Sequence, residues 1–522
     1  MVSHGEKKFF LISSFIILLM TTLPYVYGYL RKTPEKIYTG LIECNYQDIN
    51  LYLTAIKQGE KRMSWENPYT TEPQKPVFIH LFFLSSGKLF AFLHLRPIVV
   101  YHIVRIIVGA VFLLVIYSIF SFFIDDPLGR KVAFLLTGFS SGFGAPLLLF
   151  GIKKRALIDL WMPELNSFFS AYGFPHFIFS SMLILLVFLF FLKGCEQKKI
   201  IKILFCGFFA FILGLVHPYG LVIIYSVLFF YALLSDKFFR PAALPTPKPK
   251  PRQVPWRNCG DRRVFIIVLL MSLPAVFYYF YVIFTNPVWL VWFKGNFLRA
   301  PSIISYVSAF GLIFIFALYA LPEYMEKIDN KKLFILVWIF VILLIVFLPI
   351  KSNRKFVQTL QIPLVVLATS GIVKITKRKL GWIICILLVS AITNIFNVCA
   401  DLRNIHRGMY PYFLSGDIVN SFEWLNSKTE YGSIVLADIE LSNFIPVFTS
   451  NKVFVGHWDQ TIYPDEKIKL CKRFFDGEVS ENVLKKYSVS YILCDKSWQV
   501  RDKKVYSNDS AAIYKYEVND SK

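Results

Sequence analysis

Apolar residues run along this chain in blocks of roughly 18 to 25, each closed by a short polar break. Blocks of that length match the hydrocarbon thickness that a helix must cross. The spacing predicts about eleven spans, near 9–29, 98–124, 131–151, 176–193, 200–216, 219–235, 264–284, 302–321, 333–350, 356–373 and 380–399. The block at 200–235 is interrupted only at "HPYG", so one long kinked segment also fits there. Lys7 and Lys8 precede the first run as in a signal peptide. That run is long and lacks a small-x-small cleavage site, so it reads as an uncleaved span.

The pattern changes after residue 400. "DIVNSFEWLNSK" (417–428) and "DEKIKLCKRFF" (465–475) have helical apolar spacing, whereas "GSIVLAD", "NKVFVG" and "VSYILCD" read as strands. The fold class expected is mainly α: a polytopic transmembrane helical bundle of about eleven spans with a small C-terminal extracytoplasmic α/β domain. The bundle covers 1–400 and the α/β domain 410–522. Within the bundle, 30–97 is the first extracytoplasmic loop. Segment 236–263 is a cytoplasmic linker rich in Pro and basic residues, with a polyproline bias.

Composition agrees with this pattern. The 522 residues are 56% hydrophobic and only 17% charged, where soluble domains carry about 25%. The net charge of +23 would suggest nucleic acid in a soluble protein. Here Lys and Arg cluster in short breaks, at 193–202, 236–263 and 375–379. Those breaks fall on the N-terminal side of the bundle, so the positive-inside rule makes that side cytoplasmic. No nucleic-acid-binding pattern accompanies the charge. One short outward break, "KSNRKF" (351–356), is basic against the rule and hints at a job beyond orientation. The eight cysteines form no CxxC, so no metal or redox motif is visible. Cys471 and Cys494 share the final domain and are able to pair there if it faces an oxidising compartment.

Three outward loops hold most of the polar chemistry. In the first, Asp48 opens "QDINLYLTAIKQG", where Ile49, Tyr52, Leu53 and Ile56 share one face. This reads as an amphipathic helix at the membrane interface, its Asp either a cap or a reactive carboxylate. Further on, Pro73 and Pro76 flank Lys75 and hold it in stiff extended chain, next to Glu72. The second loop holds Asp159, Glu164 and His176, and the break at "VHPYG" adds His217. The third holds Trp289, Trp292, Lys294 and Arg299. Ionisable groups at membrane depth are costly and are functional candidates.

The arrangement resembles the C superfamily of glycosyltransferases (GT-C), polytopic enzymes that use polyprenyl-phosphate sugars. It is similar to bacterial members related to protein mannosyltransferases and the lipid A aminoarabinose transferase. The carriers are Asp48 followed by "INLYL", the Lys75–Pro76 step before a helix ending Gly87–Lys88–Leu89, the segment from Arg354 to Ile372, and the small α/β domain after the last span. Two departures stand out: Ile49 occupies the position of a second acid, and Val77 that of a second proline.

The resemblance implies transfer of a sugar from a polyprenyl-phosphate donor to a glycan, lipid or protein acceptor on the outer face of the plasma (inner) membrane. It implies inversion at the anomeric carbon and no cofactor, and the sequence requires no metal. It implies Asp48 as catalytic base and Lys75, Arg354 and Lys355 as donor-phosphate partners. Glu72, Glu164, His176 and His217 are lesser candidates for substrate contacts. Two other readings stay open: an inactive GT-C-like scaffold or binding protein, and a transporter of lipid-linked glycans.

Overall fold

The apolar blocks fold as helices because a backbone in hydrocarbon must satisfy its own N–H and C=O groups. The computed structural model describes residues 4–197, 199–238, 260–295, 298–479, 485–498 and 503–516. Most of the 236–263 linker lies outside them. Among the described residues, six helical stretches are long and apolar enough to span: His4–Arg31, Pro97–Phe123, Pro175–Gln197, Val264–Thr285, Ile303–Glu326 and Asn353–Ile375. A pair bent by 48°, Leu380–Ser390 and Ile392–Arg407, makes a seventh. Ile200–Val216 and Tyr219–Ser235 are apolar but shorter, as two helices separated at His217.

The expected span at 131–151 is not one helix. It breaks into Pro127–Phe139 and the short Gly144–Leu149. Between them, the backbone N–H of Ser141 donates to Ser390 O (2.7 Å) and that of Phe143 to Ser308 O (2.9 Å). Gly142 permits this approach, since a Cβ there would meet Ser308 O at 2.2 Å. The break is matched by the bend in the last span. Asn394 Nδ2 donates to Phe139 O at 2.9 Å, and Thr393 Oγ1 donates to Gly142 O at 2.8 Å. Polar side chains thus take up the backbone groups that the broken helix frees.

The chain forms two units. The first comprises 1–23, 104–279 and 297–400, and the second 24–103, 280–296 and 401–522. The first unit is helical. Its core includes Phe120, Phe134, Phe188, Phe334 and Trp338, all fully buried.

The second unit joins the first loop to the C-terminal residues. Strand β1 (Lys36–Tyr38) pairs antiparallel with β2 (Phe413–Ser415). Five more strands, β3 (Ile434–Leu436), β4 (Lys452–Val453), β5 (Val489–Asp495), β6 (Lys503–Ser507) and β7 (Ala511–Lys515), make one sheet in the order β4-β3-β5-β7-β6. β3 is parallel to both β4 and β5, and the C-terminal hairpin adds antiparallel strands. Helices Ile439–Phe448 and Pro464–Phe475 make the crossovers that parallel strands require. Cys471 and Cys494 are both free and buried, their thiols turned to backbone carbonyls, so they form no disulfide here.

The helix expected at an interface, Tyr46–Lys61, instead buries Ile49, Leu51, Leu53 and Ile56 in protein. Two glycines draw it against helix Leu81–Phe90. A Cβ at Gly59 would meet Leu84 O at 2.2 Å, and one at Gly87 would meet Ile56 O at 1.9 Å. Asn50 fixes its other side, with Nδ2 donating to Asn443 Oδ1 of helix Ile439–Phe448.

Candidate functional site

Asp48 sits in the first turn of helix Tyr46–Lys61, but it is not the cap. The cap position is Asn45, in a left-handed conformation with no side-chain capping bond. Asp48 Oδ1 instead lies 3.2 Å from His457 Nε2. The approach falls short of full hydrogen-bond alignment, so the contact is short and electrostatic. Asp48 keeps 29% of its side chain exposed while the His457 side chain is wholly buried.

The loop that carries His457 follows β4, at the carboxyl end of the parallel strands, where open α/β sheets place ligands. Its geometry is dense. Gly456 N and His457 N both donate to Thr461 Oγ1, at 3.3 and 3.2 Å. That hydroxyl in turn donates to Tyr69 O at 3.0 Å. Asn67 Nδ2 donates to Gln460 O at 2.9 Å, and Val453 N to Pro68 O at the same distance. Asp459 Oδ2 accepts from Trp292 Nε1 at 3.1 Å. Beside them Trp458 is exposed, an aromatic face open to solvent.

Lys75 and Glu72 belong to the same unit. Lys75 is exposed, and its carbonyl accepts from Asn286 Nδ2 at 3.2 Å. Glu72 is occupied: Lys467 Nζ donates to Oε1 at 2.7 Å and to Oε2 at 2.9 Å, and Thr70 Oγ1 donates to Oε2. The Lys467 side chain is fully buried, against the rings of Phe454 and Tyr487.

The first unit gathers the other five residues. Glu164, in the turn Pro163–Leu165, holds Oε1 3.9 Å from Arg354 Nη2. Arg354 also lies over the Trp161 ring, its guanidinium carbon 5.5 Å from the centroid. Lys355 Nζ is 4.3 Å from the centre of the Tyr219 ring. His176 packs on Phe177 at 4.0 Å, and Phe177 meets His217 edge-on at 5.6 Å. Burial pushes His217 down to about 3, with Lys355 adding to the shift. His217 is therefore neutral at physiological pH and supplies no cation. Glu164 and Thr359 line a small pocket of mixed polarity with Asn166, Ser167, Gln361 and Phe112. Among the described residues, no group of three or more His, Cys, Asp or Glu side chains is placed to hold a metal ion.

Sequence reasoning did not find His457 or Asp459. The usable signal was positional. "GHWDQT" directly follows a stretch readable as a strand, and polar residues at the carboxyl end of a parallel strand mark a ligand edge. The pairing itself was out of reach, because some 400 residues separate Asp48 from His457.

No family model matches this chain, and no curated protein matches its sequence. Solved structures do match its fold. The oligosaccharyltransferase of Archaeoglobus fulgidus, in complex with Zn and sulfate, aligns with TM-score 0.55 and 12% identity over 92% of this chain and 68% of its own. ArnT of Cupriavidus metallidurans aligns in its apo state with TM-score 0.53 and 11% identity, over 95% of this chain and 97% of its own. The same protein bound to undecaprenyl phosphate gives 0.54 and 10% over the same shares. At these identities the likeness is one of fold. The fold shared with these two proteins is, in this chain, a membrane helical bundle with a C-terminal α/β domain.

Proposed function

We propose that this chain is a membrane glycosyltransferase that moves a sugar from a polyprenyl-phosphate donor to an acceptor on the outer face of the plasma membrane. The observation that carries the reading is Asp48: a partly exposed carboxylate, anchored at 3.2 Å by a buried histidine, on a GT-C fold. The ArnT structure bound to undecaprenyl phosphate supports the donor class, because its fold covers 95% of this chain.

In the reaction, an acceptor hydroxyl oxygen attacks the anomeric carbon. Its proton passes to the Asp48 carboxylate. The bond from that carbon to the phosphate oxygen breaks, and the electron pair leaves with the phosphate as polyprenyl phosphate. Attack opposite the leaving group inverts the anomeric centre. Cations stabilise the departing phosphate. Lys75, exposed and held in stiff chain, is assigned to it, with Arg354 and Lys355 as further phosphate candidates. Among the lesser candidates, Glu164 and His176 are assigned to sugar or acceptor contacts. No cofactor is assigned, and transfer is expected to persist in EDTA.

The test is transfer of label from a polyprenyl-phosphate sugar by purified protein in nanodiscs. Asp48→Asn is expected to lower turnover by about 10²–10⁴-fold with donor binding intact. Lys75→Ala, Arg354→Ala and Lys355→Ala are expected to raise the donor KM instead. Donor binding without transfer by the unaltered protein would favour the inactive relative, a reading supported by Ile49 at the place of a second acid.

A further inference from the structure

We propose that His457 is a positioning residue for Asp48, locked in one tautomer, and that it never takes the proton itself. The inference rests on the reading of Asp48 as the base. It starts from the other ring nitrogen. Nδ1 of His457 accepts two backbone N–H groups, from Asp459 at 3.1 Å and from Gln460 at 3.2 Å. A nitrogen that accepts carries no proton, so the neutral ring holds its single hydrogen on Nε2. Nε2 is the atom 3.2 Å from Asp48 Oδ1.

The ring has nowhere else to go. It is 1% exposed, and the Tyr69 ring packs against it at 5.5 Å. Its own N–H and that of Gly456 are tied to Thr461. Turning the ring over would orphan the two N–H groups now held by Nδ1, and protonating Nδ1 would do the same. The hydrogen on Nε2 is therefore kept beside the carboxylate, 3.2 Å from nitrogen to oxygen though not fully aligned with it. It fixes the orientation of Asp48 while leaving 29% of that side chain open to an acceptor. Catalytic contacts of this kind often align fully only with substrate bound. During transfer the proton from the acceptor hydroxyl ends on Asp48, and the electron pair of the broken anomeric bond ends on phosphate. His457 gains and loses nothing.

Two substitutions separate its two jobs. In His457→Asn the short side-chain oxygen still accepts the N–H groups two and three residues on, as in an Asx-turn. It keeps the loop but does not reach Asp48. In His457→Gln the longer amide donates toward Asp48 but does not reproduce the loop bonds. The expected result is that His457→Asn unfolds at the wild-type temperature, keeps the donor KM and loses about 10–100-fold in kcat. His457→Gln is expected to recover part of that kcat while unfolding at a lower temperature. In an Asp48→Asn background, His457→Asn is expected to add no further loss, because it acts through Asp48. The reverse order, with Asn near wild type and Gln the weaker enzyme, would show a purely structural histidine and overturn the proposal.

A second readout needs no activity. In protein carrying ¹⁵N-histidine, His457 is expected to show a bare Nδ1 and a protonated Nε2, with an Nε2–H signal that shifts in Asp48→Leu. A proton on Nδ1 overturns the tautomer argument whatever the activity. The expected tautomer in a protein that transfers no sugar would instead overturn the assignment of a reaction and leave the contact standing.

Discussion

Asp48 and Asp159 are both carboxylates near short helical turns, and burial sets them apart. Asp159 is fully buried, and its Oδ2 accepts the Gly144 N–H at 2.9 Å. Burial pushes it up to about 6, although hydrogen bonds from Gly144, its own backbone, Gly142 and Thr393 pull the other way. An acid raised in the folded state binds its proton more tightly there than in the unfolded chain. Its contribution to stability is therefore best below the unfolded value of 3.8 and falls as pH rises toward 6. Above that the penalty is complete, on the order of 3 kcal/mol. Asp159→Asn keeps an acceptor for Gly144 and removes the charge. Thermal unfolding in nanodiscs should show the variant more stable than wild type at pH 7.5, with the gap closing toward pH 4. A gap that persists at low pH would show that charge is not the cause. Asp48 carries the opposite expectation: Asp48→Asn is near neutral for unfolding, because the side chain is partly exposed and caps nothing.

Between elements, the pair of Glu72 and Lys467 ties the loop at 67–74 to helix Pro464–Phe475. Lys467 is desolvated, which lowers its pKa, and Glu72 offsets that. Removing the carboxylate alone leaves a buried charge unpaired, which costs about 3–5 kcal/mol in such sites. Glu72→Ala is expected to lower the unfolding midpoint accordingly, and Lys467→Met in the same chain to restore most of it. Equal loss in the single and double variants would show that the ion pair is not what the loop needs. Elements of this kind divide sharply in how legible they were. Periodicity alone located the helices at 416–428 and 464–475 and three of the sheet strands, because local spacing encodes them. It did not find helix Ile439–Phe448, whose apolar run carries a proline, or the break within 131–151. That break is decided by carbonyls at 308 and 390, which no window on the sequence contains. The Asp48–His457 contact was hidden in the same way, although each partner stood in a stretch whose local form was readable.

At the scale of the whole molecule, composition and block length were enough for a membrane helical bundle, since bilayer thickness imposes them directly. The count was less legible, because several apolar blocks fold as helices too short to cross alone. Parity and charge nevertheless give an expected orientation. The eleven spans expected from the sequence are odd in number. An odd number puts the two ends of the chain on opposite faces. The short basic breaks at 193–202 and 375–379 and the linker at 236–263 then select which face. Lys and Arg in short loops stay on the cytoplasmic side, so the N-terminus is expected to be cytoplasmic and the residues after 400 outside. The same side is the one where a polyprenyl-linked sugar meets an envelope acceptor in the proposed reaction. A reporter that works only outside the cytoplasm is expected to be active when fused after residue 410 and inactive when fused within 236–263. Activity from the linker, or silence after 410, would reverse the topology. It would move the transfer to the cytoplasmic face and leave the fold and the Asp48–His457 contact as they are.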